Sequence, residues 1–185
     1  MRKEIEVKAR ISDADALIKR LTELSCVFSE PITQEDHVFI HKNDPFPVKL
    51  GTNVFRIRKN NGKFIFTFKR PISNGLDKLE HELEISDAEE MEKILELIDF
   101  REVSLVKKVR RKTNYKDYEI CVDVVDQLGS FVEMEKIAED VDSSKVQDEM
   151  FSLLVTFGIK KEDRIMVGYD VLIHEYEQGQ RAISH

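Results

Sequence analysis

Cysteine is nearly absent. Cys26 and Cys121 are the only two in 185 residues, they stand far apart, and they match no metal or disulfide spacing. Both read as small apolar residues in a reducing compartment. Proline and glycine, with 4 and 7 copies, are too few and too scattered to form a linker. No low-complexity stretch and no repeat of fixed period interrupts the chain. A single domain over 1–173 with a polar tail over 174–185 is the simplest reading. No apolar run approaches the length of a membrane span. The opening M-R-K-E-I-E-V-K contains nothing that could act as a signal peptide, so a cytoplasmic location is expected. Net positive charge is missing too. A balance of −7 argues against wholesale binding to nucleic acid or to an anionic membrane, and neither is an expected partner.

Charge itself is abundant. Charged residues make up 35% of the chain, with 29 Lys and Arg against 36 Asp and Glu, beside 41% hydrophobic residues. These charges fall into two periods, about 2 and about 3.6. Residues 2–10 alternate strictly, Glu4, Glu6 and Lys8 on one face and Ile5, Val7 and Ala9 on the other, which predicts a strand. Ser12 or Asp13 caps a predicted helix to about Leu24. Strands are predicted over 34–41, 53–60, 63–70, 78–85, 104–115, 117–125 and 130–137, and Asn60-Asn61-Gly62 is a hairpin signal. Pro71 to Gly75 reads as a turn. The spacing of Ser86 and Glu89 suggests a capping box opening a helix to about Ile98. A third helix spans about Ser143 to Phe157 and ends at Gly158. From His174 onward the chain is polar and reads as a fraying tail. The fold class expected is α+β with mostly antiparallel ladders.

Almost every strand carries an ionisable face. Arg56 and Arg58 share one; Lys69 lies in phase with Thr67; Glu80, Glu82 and Glu84 share another. Lys108, Arg110 and Lys112 form a basic face, Asp123 is in phase with Cys121, and Glu133 with Glu135. On a single strand such alternation means only a solvated face. Repeated over many strands, some acidic and some basic, it suits a barrel whose alternate positions line a charged lumen. Arg and Lys there would take phosphate oxygens, and carboxylates would take Mg²⁺ or Mn²⁺.

The motifs resemble, in order, those of the CYTH superfamily. E-I-E-V-K (Glu4, Glu6, Lys8) is similar to its E-x-E-x-K signature. Q-E-D-H-V-F, F-R-I-R-K, F-T-F-K-R-P, E-H-E-L-E-I, K-K-V-R and V-D-x-x-x-x-L-G-S-F-V-E-M-E resemble the later strands. Where the family often ends in S-Y-x-x-L-L, this chain has G-Y-D-V-L-I. The family includes class IV adenylyl cyclases, thiamine triphosphatases and inorganic tripolyphosphatases, and L-G-S-F-V-E is closest to the cyclase-like subfamily. The resemblance implies an antiparallel β-barrel or tunnel with helices packed outside. It implies metal candidates Glu4, Glu6, Asp123 and Glu133, and a triphosphate held by Lys8, Arg56, Arg58, Lys69, Lys108 and Arg110. Lys8, Glu82 and Glu84 are the catalytic candidates. The expected activity is conversion of ATP to cyclic AMP and pyrophosphate. Hydrolysis of an organic triphosphate is the alternative, and a non-catalytic polyphosphate-binding module a second. The organic triphosphate is the expected partner, and homodimerisation is left open. His37, His41, His81 and His174 read as surface or packing residues, and Phe64, Phe66 and Phe68 as the apolar face of a strand under a helix.

Overall fold

The computed structural model describes residues 2–183, with side chains over 3–180. Two compact units make up the chain: unit 1, Met1–Ile32 with Lys108–Met166, and unit 2, Thr33–Lys107 with Val167–His185.

Unit 1 is built on β1 (Arg2–Ile11), β7 (Tyr118–Val125), β8 (Gly129–Glu139) and the second half of β6 (Phe100–Tyr115). Its strands run antiparallel in the order β6-β7-β8-β1. The alternation in β1 does what its period requires. Ile5, Val7 and Ala9 pack with Ile120, Val122, Val132 and Met134 on one face of the sheet. On that face lie α1 (Ala14–Glu23), through Leu17 and Leu21, and α3 (Ser143–Thr156), through Met150, Phe151 and Leu154. Each fully buried aliphatic side chain is worth about 1.5–3 kcal/mol over its exposed state. Asp13 caps α1 by accepting from the Ala16 amide. Gln147 of α3 donates to the Glu6 carbonyl at 2.9 Å, which seats the helix directly behind the charged half of β1.

Unit 2 holds β2 (Ile32–His41), β3 (Val54–Asn60), β4 (Lys63–Asn74) and β5 (Asp77–Ile85), antiparallel in the order β5-β4-β3-β2. The hairpin turn falls where expected, with Asn61 and Gly62 both in the left-handed region (φ 48° and 84°). Helix α2 (Ala88–Leu97) buries Leu95 against Phe39 and Ile57, with Phe55, Phe66 and Met91 around them. Phe66 therefore serves packing, as the sequence suggested.

Three local expectations are corrected. Strand β4 does not turn at Pro71 but continues to Asn74, with Pro71 opposite Lys78 and a register shift before Asn74. That irregularity accommodates the missing proline N–H. The cap of α2 is Asp87, which accepts from the Glu90 amide, rather than Ser86. The segment from His174 is helical, part of α4 (Tyr169–Ile183), with Tyr169 and Ile173 buried; residues 184–185 of the expected tail lie outside the described range. No helix among the described residues is long and apolar enough to cross a membrane.

Candidate functional site

Strand register decides which charges meet. In unit 1, β1 sets Lys8 opposite Glu133 and Glu6 opposite Glu135 on β8, and β6 sets Arg110 opposite Asp123 on β7. Opposite charges directly across a ladder attract, and like charges repel. The first and third pairs close as ion pairs. Lys8 Nζ lies 3.0 Å from Glu133 and 3.1 Å from Glu6. Arg110 forks onto Asp123, Nε at 2.8 Å and Nη2 at 2.6 Å, and also donates to Glu133. Its Nη1 lies 3.7 Å from Glu135, and Lys108 Nζ is 3.8 Å from Asp123. Lys8, Lys108, Arg110, Asp123, Glu6 and Glu133 are all buried.

The acid–acid register remains. Carboxylate oxygens of Glu4, Glu6 and Glu135 gather within 4.8 Å of one another. Burial, and then the neighbouring Glu4 carboxylate, pushes the Glu135 carboxyl up to about 8, although Arg110 pulls the other way. Glu133 behaves oppositely. Burial would raise it, but Lys8, Arg110 and Lys108 together hold it well below the usual carboxylate range. The carboxylates of Glu4, Glu6, Asp123, Glu133 and Glu135 thus gather around Lys8, Lys108 and Arg110. The Glu4, Glu6 and Glu135 donors are hard oxygens of the kind Mg²⁺ and Mn²⁺ take, so the residues fit such an ion.

Unit 2 carries a second ionic cluster, again set by register: Arg58 opposite Asp36, Lys69 opposite Glu80, and Thr67 opposite both Arg56 and Glu82. Arg58 forks onto Asp36, Nε at 2.6 Å and Nη2 at 2.8 Å. Arg56 Nη2 reaches Glu82 at 2.6 Å, Thr67 Oγ1 at 3.0 Å and Glu80 at 3.3 Å. Lys69 Nζ holds Glu80 at 2.8 Å. Burial acts to raise the Glu80 carboxyl, but Lys69, Arg56 and Lys78 together draw it far below its ordinary value.

The candidates named from sequence sort as follows. Glu4, Glu6, Lys8, Lys108, Arg110, Asp123 and Glu133 share the unit 1 cluster, with Asp123 and Glu133 engaged by Arg110. Arg56, Arg58, Lys69 and Glu82 share the unit 2 cluster. Glu84 is exposed and pairs with Lys63 at 3.0 Å. Glu135, Asp36 and Glu80 are members that the candidate set omitted. For two of them the signal was available, since Glu135 is in phase with Glu133 and Glu80 with Glu82.

The chain matches the CYTH domain profile over residues 2–169. It is 32% identical over 169 residues to the Methanocaldococcus jannaschii protein named "Putative adenylate cyclase MJ0240", covering 90% of this chain and 95% of that one. Its structure is similar to that of the PH1819 protein from Pyrococcus horikoshii, with TM-score 0.78, 26% identity and coverage of 94% and 99%. A Hippeastrum protein, described as a "Putative adenylyl cyclase" with a dominant triphosphatase activity, shares the fold at TM-score 0.59 and 17% identity, with 91% of each chain covered. The fold class is the one the sequence implied, an antiparallel β-barrel with helices packed outside.

Proposed function

The chain belongs to the CYTH family, and from that premise we propose that it is a metal-dependent enzyme acting on an organic triphosphate, converting ATP to cyclic AMP and pyrophosphate. The observation that carries this reading is the unit 1 cluster, in which carboxylate oxygens of Glu4, Glu6 and Glu135 converge within 4.8 Å beside buried Lys8 and Arg110. Glu4, Glu6 and Glu135 would hold that ion, and Asp123 and Glu133 fix the Arg110 guanidinium beside them. A bound Mg²⁺ or Mn²⁺ supplies neutralisation of phosphate charge and orientation of the phosphoryl group.

The chain's own groups do the rest. Lys8, Lys108 and Arg110, and in unit 2 Arg56, Arg58 and Lys69, offer ammonium and guanidinium donors to phosphate oxygens. Asp36 and Asp123 occupy the Nε and Nη2 edge of Arg58 and Arg110 and so fix each guanidinium, which leaves Nη1 as the pre-oriented donor to an anion. Lys8 sits buried against Glu6 and Glu133, where its charge is focused rather than screened by water. Stabilising charge that spreads over the transferring phosphate by fixed donors is the main catalytic device open to such a site. Glu82, the most exposed acid of the unit 2 cluster, and Glu84 are the candidates for orienting these bases.

Hydrolysis is the second reading. The same donors serve water attacking the γ-phosphorus, and the Hippeastrum protein of this fold is described as chiefly a triphosphatase. Incubation with ATP, thiamine triphosphate and tripolyphosphate plus Mg²⁺ or Mn²⁺, with all products resolved, separates the two. Cyclic AMP with pyrophosphate is expected; orthophosphate from ATP with no cyclic AMP replaces the cyclase reading by the hydrolase; no turnover of any of the three refutes both.

A further inference from the structure

In the unit 2 cluster each of three cations is engaged by a carboxylate. Arg58 meets Asp36, Lys69 meets Glu80, and Arg56 meets Glu80 and Glu82. A polyanion approaching such a wall gains little from cations that keep their carboxylates, so one carboxylate has to give way. The three are not equally able to. Asp36 is 5% exposed and grips Arg58 through both oxygens. The Glu80 side chain is 9% exposed and is held by Lys69 and Arg56 together. Moving either would leave a buried charge uncompensated. Glu82 differs. Its side chain is 46% exposed, at 2.6 Å from Arg56 Nη2, and it accepts from Thr67 Oγ1 at 3.1 Å. Swinging outward returns its carboxylate to water at small cost. Arg56 does not lose its orientation when that happens, because Nη2 also donates to Thr67 Oγ1 at 3.0 Å and to Glu80 at 3.3 Å.

We propose that Glu82 is a displaceable counter-ion of Arg56. It occupies the guanidinium edge until a phosphate oxygen takes its place, and so sets the affinity of the site for polyphosphates. This inference rests on the triphosphate reading above and gives Glu82 the role of a positioning residue, acting on the ligand through Arg56. The residue holds the guanidinium pre-oriented in the empty protein and is exchanged for the ligand on binding. Net affinity is therefore the difference of two ion pairs.

The test is calorimetric titration of sodium tripolyphosphate, in EDTA and at low salt so that no turnover intervenes. The proteins are wild type, Glu82→Gln, Arg56→Gln and the double variant. Glu82→Gln keeps the shape and the acceptor to Thr67 but removes the competing charge. Affinity should rise about threefold to tenfold, the range expected of a charge-assisted pair with one half-exposed partner. Arg56→Gln should weaken binding, and in the double variant the gain should vanish, since it works only through Arg56. Glu82→Ala is expected to shift affinity in the same direction. Unchanged or weaker binding by Glu82→Gln, with wild type binding and Arg56→Gln impaired, overturns the inference while leaving the triphosphate reading intact. A gain that persists in the double variant also overturns it, by showing a general charge effect. Absence of binding by all four proteins overturns the inference; if wild type still fails to bind when Mg²⁺ is added, the triphosphate reading falls as well.

Discussion

Glu135→Gln should flatten the dependence of stability on pH in the metal-free protein. The Glu135 carboxyl is raised from 4.5 to about 8 by burial and by Glu4. A carboxyl whose folded value is raised holds its proton more tightly in the native state. Its contribution is fully present below the unfolded value and is lost as pH climbs through the folded one. The window is therefore pH 4.5 to 8. The full linkage across that span is on the order of 5 kcal/mol at 1.36 kcal/mol for each pH unit. The Glu135 side chain keeps 18% exposure. Arg110 also opposes the shift, so a loss of about 2 kcal/mol is the working expectation. For a chain of this size that lowers the melting temperature by roughly 4–8 °C. Glu80, Asp99 and Glu133 are shifted to below this window, and Arg110, Lys112 and Cys121 to above it. Melting curves between pH 5 and 8 in EDTA should thus show wild type falling and Glu135→Gln nearly level. Millimolar Mg²⁺ or Mn²⁺ should restore most of the wild-type loss at pH 8 and little in the variant. Equal slopes for the two proteins, or equal rescue by metal, would refute the reasoning.

Arg110→Met should destabilise by about 3–5 kcal/mol in urea unfolding at neutral pH, because Asp123 and Glu133 are left buried without their cation. A cost under 1 kcal/mol would contradict the ion-pair account. Glu6→Gln should lower turnover at least roughly a hundredfold with a near wild-type circular dichroism spectrum, since it keeps shape but removes a hard donor. Wild-type rates with unchanged metal dependence would remove Glu6 from the site. Leu21→Ala on α1, where the side chain is fully buried in the unit 1 core, should cost about 2–5 kcal/mol without altering metal response. A shifted metal titration in that variant would mean that the core and the ionic face are coupled.

The ionic faces were legible because β1, β3, β6, β7 and β8 obey a period of two, so Glu6 and Lys8 could be separated from Ile5 and Val7 by position alone. Partners were not legible. Whether Arg58 meets Asp36, or Arg110 meets Asp123, depends on the register between strands, and a one-residue slip would send every side chain to the other face. Glu135 illustrates the limit. Phase places it beside Glu133 on one face, yet Glu133 sits opposite Lys8 and Glu135 opposite Glu6, so one faces a cation across the ladder and the other a like charge. The extension of β4 past Pro71 was hidden because a proline rule speaks to a regular ladder, and the ladder there is irregular. Helix α4 did leave a trace. Tyr169, Leu172, Ile173 and Tyr176 follow the helical spacing, but the polar residues after His174 dilute it.

The most direct test of the central claim, that this chain binds a triphosphate together with a divalent metal, is the melting temperature with tripolyphosphate or ATP and Mg²⁺. A ligand bound only by the native state adds RT ln(1 + [L]/Kd), about 2.7 kcal/mol at a hundredfold excess over Kd. That corresponds to a rise of roughly 5–10 °C for a chain of this length. The rise should be smaller with orthophosphate and should shrink in Arg58→Ala. A melting temperature that stays flat across all these ligands, at millimolar concentration and low salt, would contradict the account.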